Sequence, residues 1–212
     1  MYNKIDYTLL KATATIDDID TLCKEAIEKG CASVCIPSCY VEYVSNEYPE
    51  LTICTVVGFP LGNCSTETKV EETRQAIIAG AHEIDMVINI GALKAEMFGY
   101  VKDEIQRLRR ICGRHIILKV IIETCYLTEK EKIVACVLAK NARADFVKTS
   151  TGFGTGGATI EDVKLMREVC GDDIKIKASG GIRTREEVKE YLKYCDRIGM
   201  SKLPWNAGGR PM

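Results

Sequence analysis

Four ionisable residues stand where a folded chain normally keeps none. Lys148 lies in the apolar run "ADFVKTS", Lys177 in "DIKIKAS", Lys119 in "HIILKVIIE" and Asp85 in "HEIDMVIN". An isolated buried charge is costly, so groups placed like this are paired, neutralised or used in chemistry. Lys148 and Lys177 both fall near the C-terminal ends of their runs. Two ammonium groups at close quarters repel and desolvation adds to the effect, so one of them should lose its proton more easily than a solvated lysine of pKa about 10.4. A neutral amine is a nucleophile, and the chemistry that needs one is Schiff-base formation with a carbonyl compound. The competing reading is a structural ion-pair network, with Asp85 and Lys119 as one pair.

Each of the two lysines is followed by a segment suited to an anion. After Lys177 comes "ASGGIRTREE", where Gly180 and Gly181 let the backbone approach a ligand and Arg183 supplies positive charge near the start of a helix. After Lys148 come Thr151 and Gly152, then "TGGAT", again leading into a helical pattern. Glycine also serves ordinary turns. The signal is the coupling of a strand-end lysine to a glycine-rich loop, twice over.

Short strand-like runs must position these groups. They are 32–37, 51–58, 82–89, 115–123, 144–150, 173–179 and 196–201, rich in Val and Ile. Between them lie "TIDDIDTLCKEAIEKG", "TKVEETRQAIIAG", "YVKDEIQRLRRICG", "TEKEKIVACVLAKNA", "TIEDVKLMREVCG" and "TREEVKEYLKYC", with apolar residues at spacings of three and four. Thr184 and Glu187 make a capping box, and Gly80, Gly113 and Gly171 follow helical runs. Alternating strands and helices with short loops imply a parallel sheet. The segment "KIDYTLL" supplies an eighth strand, which predicts a TIM (β/α)8 barrel spanning 1–212 as a single domain. An open doubly wound sheet is the alternative, but no GxGxxG follows the first strand.

Strand parity then sorts the side chains. Ile84, Met86 and Ile88 share one face and leave Asp85, Val87 and Asn89 on the other; Lys119, Ile121 and Glu123 oppose Leu118, Val120 and Ile122. Phe146, Lys148 and Ser150 share a face, and Lys175, Lys177 and Ser179 oppose Ile174, Ile176 and Ala178. Four neighbouring strands thus send Asp85, Lys119, Lys148 and Lys177 toward one interior, with the two lysines near the barrel end where active sites lie.

Composition limits the partners. With 29 basic and 30 acidic residues, 46% hydrophobic residues and no long run of one sign, the 212-residue chain shows neither a nucleic-acid-binding patch nor a polybasic membrane anchor. A small molecule is the expected partner, and no apolar run is long enough for a membrane span or a secretory signal. Eleven cysteines, an odd number without a CxxC pair, are expected to be reduced thiols of a cytoplasmic protein. Cys31, Cys35 and Cys39 read as a strand entering a turn. His82 and His115 are the only histidines, which disfavours a metal-dependent mechanism.

The strings "CTVVGFPLG", "EIDMVINIGALK", "LKVIIETC", "DFVKTSTGF" with "TGGAT", and "KASGGIRT" resemble the deoxyribose-phosphate aldolase family, class I aldolases on a TIM barrel. The resemblance runs from "DYTLLKATAT" to "RIGMS". It implies reversible cleavage of 2-deoxy-D-ribose 5-phosphate to D-glyceraldehyde 3-phosphate and acetaldehyde without metal or organic cofactor. By motif it implies Lys148 as the Schiff-base lysine, Lys177 as the lysine that lowers its pKa, Asp85 as proton donor and acceptor, and Lys119 as an aid to proton transfer. Gly152, Gly180, Gly181, Arg183, Gly199 and Ser201 fall where the family holds phosphate; Asp6, Thr8, Leu10 and Cys35 match pocket-lining positions. A homodimer would suit the family.

Two departures stand out. Tyr7 replaces the histidine of many members, a change expected to be tolerated because the lysine–aspartate set does not include it. Lys202 replaces a serine, and Pro204, Gly208, Gly209 and Pro211 argue against a regular final helix, so the phosphate side is expected to differ. Two other readings stay open: a Schiff-base aldolase for a different or non-phosphorylated aldehyde, and a non-catalytic sugar-phosphate-binding barrel.

Overall fold

A computed structural model describes residues 1–203, and Pro204, Gly208, Gly209 and Pro211 lie outside the described residues. Eight strands close into a barrel in chain order: β1 (Ile5–Thr8), β2 (Ser33–Ile36), β3 (Ile53–Val57), β4 (Glu83–Val87), β5 (Ile117–Ile121), β6 (Phe146–Lys148), β7 (Lys175–Ser179) and β8 (Arg197–Met200). All neighbours pair in parallel, and β8 closes on β1 with Asp6 opposite Gly199. That closure rules out the open sheet.

The helices are α1 (Ile16–Lys29), α2 (Val41–Glu47), α3 (Thr66–Ile78), α4 (Ile90–Lys94), α5 (Phe98–Cys112), α6 (Glu129–Asn141), α7 (Ile160–Cys170) and α8 (Arg185–Tyr191). Their apolar stripes meet the outward side chains of the strands, so Ile84, Met86, Leu118, Val120, Val147, Ile176 and Ile198 pack in one core with Ile19, Val101, Ile105, Leu108, Ala139 and Val163. Fully burying such a side chain contributes about 1.5–3 kcal/mol. This layer holds the fold together, which leaves the barrel interior available for polar groups.

Local signals set the helix limits. Thr15 with Asp18, Thr128 with Glu131 and Thr184 with Glu187 form capping boxes, and Gly30 closes α1 in the left-handed conformation. Gly113 and Gly171 cap α5 and α7, while Gly80 follows Ala79, the cap of α3. The strands are shorter than their apolar runs, since the C-terminal residues of the runs leave the ladder to build loops. α2 and α4 are too short for helical periodicity to reveal. α8 stops at Tyr191 because the amides of Tyr194 and Cys195 turn back onto its carbonyl.

Candidate active site

Parity along β4 to β7 brings the four expected groups together inside the barrel. Asp85 lies opposite Lys119 in the ladder, and Lys148 opposite Lys177. Asp85 accepts from all three lysines: Lys119 Nζ stands 2.7 Å from Oδ1, and the Nζ atoms of Lys148 and Lys177 each stand 2.8 Å from Oδ2. Asp6 on β1 pairs with Lys177 at 2.5 Å and with Arg197 at 2.5 Å, and accepts from the Ser33 hydroxyl. Glu83 pairs with Lys119 at 2.5 Å and with Arg197 at 3.5 Å. The four candidate residues are therefore members of one ion-pair network.

The network fixes most of its charges. Burial opposes the charge on Asp85, but the three lysines outweigh it and hold the carboxyl well below its ordinary value. Burial would likewise push Lys177 down. Its carboxylate partners Asp6 and Asp85 prevail and hold its pKa above the usual lysine range, and Lys119 is raised in the same way. Lys148 and Lys177 thus meet at a shared carboxylate oxygen of Asp85.

Lys148 is the member of this cluster that lines a cavity of about 370 Å³ at the C-terminal mouth, together with Thr8, Leu10, Gly152, Gly180, Gly181, Arg183, Gly199 and Ser201 among the expected residues. Asp6 and Cys35 do not line it. They lie fully buried, with Asp85, Lys119 and Lys177. Asp6 is kept there by its ion pairs, and Cys35 packs beside Cys54 and Val56 under Leu10 and Phe59.

The rim is built by close backbone packing. Gly152, Gly180 and Gly181 have φ of +85°, +86° and +83°, which favours glycine at each position. Gly157 packs against Gly180 so tightly that a Cβ on Gly157 would stand 2.2 Å from the Gly180 carbonyl oxygen. The Ala158 amide donates to the carbonyls of Ser179 and Gly180, joining the loop after β6 to the loop after β7. Gly199 leaves the space that Ser179 and Lys177 occupy.

Tyr7 points the other way. Its hydroxyl donates to Glu25 of α1 at 2.6 Å, outside the lysine cluster. Cys35, Cys54 and Asp85 bring potential metal ligands within 4.8 Å of one another, but the three ammonium groups on Asp85 oppose a cation there. Sequence reasoning missed the roles of Glu83 and Arg197, although parity places Glu83 on the face of Asp85. It also missed the cavity-lining Lys11 and Phe153, while Thr151, named with Gly152 in the segment after Lys148, does line the cavity.

Fold and site together define a (β/α)8-barrel enzyme with a buried amine at the mouth of a cavity. A DeoC/LacD family aldolase model matches residues 4–200, and the chain belongs to that family. It is 53% identical over 200 residues to the deoxyribose-phosphate aldolase of Clostridium botulinum (strain Alaska E43 / Type E3), covering 93% of this chain and 90% of that protein. The deoxyribose-phosphate aldolase of Thermococcus kodakarensis (strain ATCC BAA-918 / JCM 12380 / KOD1) is 52% identical, covering 93% and 91%. Among solved structures, the deoxyribose phosphate aldolase of Aeropyrum pernix superposes with a TM-score of 0.87 at 29% identity, covering 94% of this chain and 86% of that one.

Proposed function

We propose that this chain is a class I aldolase that reversibly cleaves 2-deoxy-D-ribose 5-phosphate to D-glyceraldehyde 3-phosphate and acetaldehyde, with the chain serving as one catalytic barrel domain. The observation that carries the reading is Lys148: it joins a buried charge cluster to a cavity whose other wall holds Arg183 and glycine-rich backbone. Lys11 and Lys202 add positive charge to that cavity, which favours a phosphorylated ligand over a neutral aldehyde.

Lys119, Lys148, Lys177 and Arg197, four basic side chains, pair with three carboxylates, Asp6, Glu83 and Asp85. Lys148 pairs with one carboxylate, whereas each of the other cations pairs with at least two. The free amine adds to C1 of the open-chain sugar, and loss of water gives an iminium. As the C3 hydroxyl loses its proton, the C2–C3 bond breaks, C3 becomes the aldehyde of glyceraldehyde 3-phosphate, and the electron pair enters the iminium to form an enamine. Protonation at C2 and hydrolysis release acetaldehyde and restore Lys148. Asp85, with Lys177 and Lys119 on its two oxygens, is assigned the proton transfers.

Borohydride reduction in the presence of acetaldehyde, followed by peptide mass spectrometry, tests the assignment. A two-carbon adduct is expected on Lys148 and none in Lys148→Ala; an adduct on Lys119 or Lys177 would overturn it. Comparing turnover of deoxyribose with that of its 5-phosphate tests the substrate. A cytoplasmic setting accords with the eleven free cysteines, and among the described residues no helix is long and apolar enough to cross a membrane. The Aeropyrum pernix enzyme is described as tetrameric. For this chain a homodimer is the expected assembly, to be measured by light scattering.

A further inference from the structure

We propose that Glu123 is a positioning residue that sets the anion-binding side of the cavity by holding the loop after Lys148 in place. Glu123 follows β5 in a left-handed conformation, φ +55° and ψ +69°, uncommon for a residue with a side chain. It is 1% exposed, and among the described residues no lysine or arginine forms a salt bridge with it. A buried carboxylate without a cation needs hydrogen-bond donors in its place.

Thr151 supplies most of them. Its amide donates to Oε1 and Oε2 of Glu123, each at 3.2 Å, and its hydroxyl donates to Oε2. Because the hydroxyl proton points at Glu123, a lone pair is left for the Phe153 amide, which donates to it at 3.0 Å. The Cys125 thiol also faces Oε1, at 3.9 Å. One side chain just after β5 thereby fixes Thr151, Gly152 and Phe153, all of which line the cavity.

The effect extends to the next loop. Gly154 packs over Glu123 and Cys125, close enough that a Cβ there would meet both, and further on Gly157 rests on Gly180. The two glycine-rich segments form one rim, tied to the barrel through Glu123 at one end and through the Tyr191 hydroxyl on the Ala158 carbonyl at the other. Lys148 is held separately, by its strand pairing and by Asp85. Glu123 therefore acts on the part of the ligand remote from the amine.

The inference rests on the phosphosugar reading above, and the test separates the two. In Glu123→Ala, kcat/KM for 2-deoxyribose 5-phosphate is expected to fall by about tenfold or more relative to that for 2-deoxyribose, mainly through KM. Glu123→Gln, which keeps one acceptor, should lose less, and borohydride trapping of acetaldehyde on Lys148 should persist in both. An unchanged preference in a folded variant would overturn the role, as would a parallel loss of trapping. If Glu123→Ala does not fold, Thr151→Val, which removes the donor hydroxyl, must shift the preference in the same direction or the role is refuted. Absence of trapping in the unaltered protein would instead refute the aldolase reading.

Discussion

Lys148 and Lys177 direct their ammonium nitrogens at a single oxygen, Oδ2 of Asp85, each at a distance of 2.8 Å. Neither lysine has that oxygen to itself. Lys177 has a second carboxylate in Asp6, whereas Asp85 is the one carboxylate paired with Lys148 among the described residues.

Replacing Asp85 by asparagine puts an amide, with two donors and one acceptor, against three lysine nitrogens. Asp85→Asn is expected to lower kcat by about 100-fold or more. It should also cost about 3–5 kcal/mol of stability, the range for breaking a buried ion pair. Steady-state turnover and urea denaturation measure the two effects, and near-normal values for both would remove Asp85 from its assigned role.

Asp6 gives a pH signature. Burial would raise its pKa, but Lys177, Lys119 and Arg197 outweigh burial and hold the carboxyl below its ordinary value. A carboxyl depressed in the folded state stabilises fully above its unfolded pKa of about 3.9 and loses that contribution as pH falls toward the folded value. The melting-temperature deficit of Asp6→Asn should therefore be level from about pH 5 to about pH 8 and shrink below about pH 4. A deficit that shrank toward alkaline pH would contradict this sign.

Lys202 is exposed on the cavity wall, where its charge acts through water. Lys202→Ser should raise KM for the 5-phosphate by about two- to fivefold at low ionic strength, and by less in about 0.5 M salt. Values for unphosphorylated deoxyribose should not change. Measuring KM for both sugars across a salt series decides the point.

Gly157→Ala tests the contact between the rim loops. The added methyl group would meet the Gly180 carbonyl oxygen at 2.2 Å, and backbone rather than a flexible side chain must yield. A loss of about tenfold or more in kcat/KM for the 5-phosphate is expected, with secondary structure retained by circular dichroism. Gly99→Ala, where no neighbouring atom lies within 4 Å, is the matched control and should behave as the unaltered protein.

Strand parity was enough to bring Asp85, Lys119, Lys148 and Lys177 together, because alternation between two faces is a local property of each strand. Parity cannot say how deep a residue lies along the barrel axis. Asp6 and Cys35, matched by motif to the pocket lining, are fully buried and do not line the cavity. Nor does parity count partners: Arg197 becomes a member of the cluster only when β8 closes onto β1 and brings it to Asp6. Glu123 was legible as an inward carboxylate, but its link to Thr151 depends on a backbone turn that no periodicity encodes.

The cluster draws on six strands, β1 and β4 to β8, from Asp6 near the start to Arg197 near the end, whereas the rim comes largely from Thr151 to Gly157 and Gly180 to Arg183. On the proposed assignment, reactivity and handle recognition belong to different stretches of chain. A library confined to the rim segments would then sample new aldehyde partners against a constant amine, and retargeting this scaffold would be a matter of loop grafting rather than of rebuilding its interior.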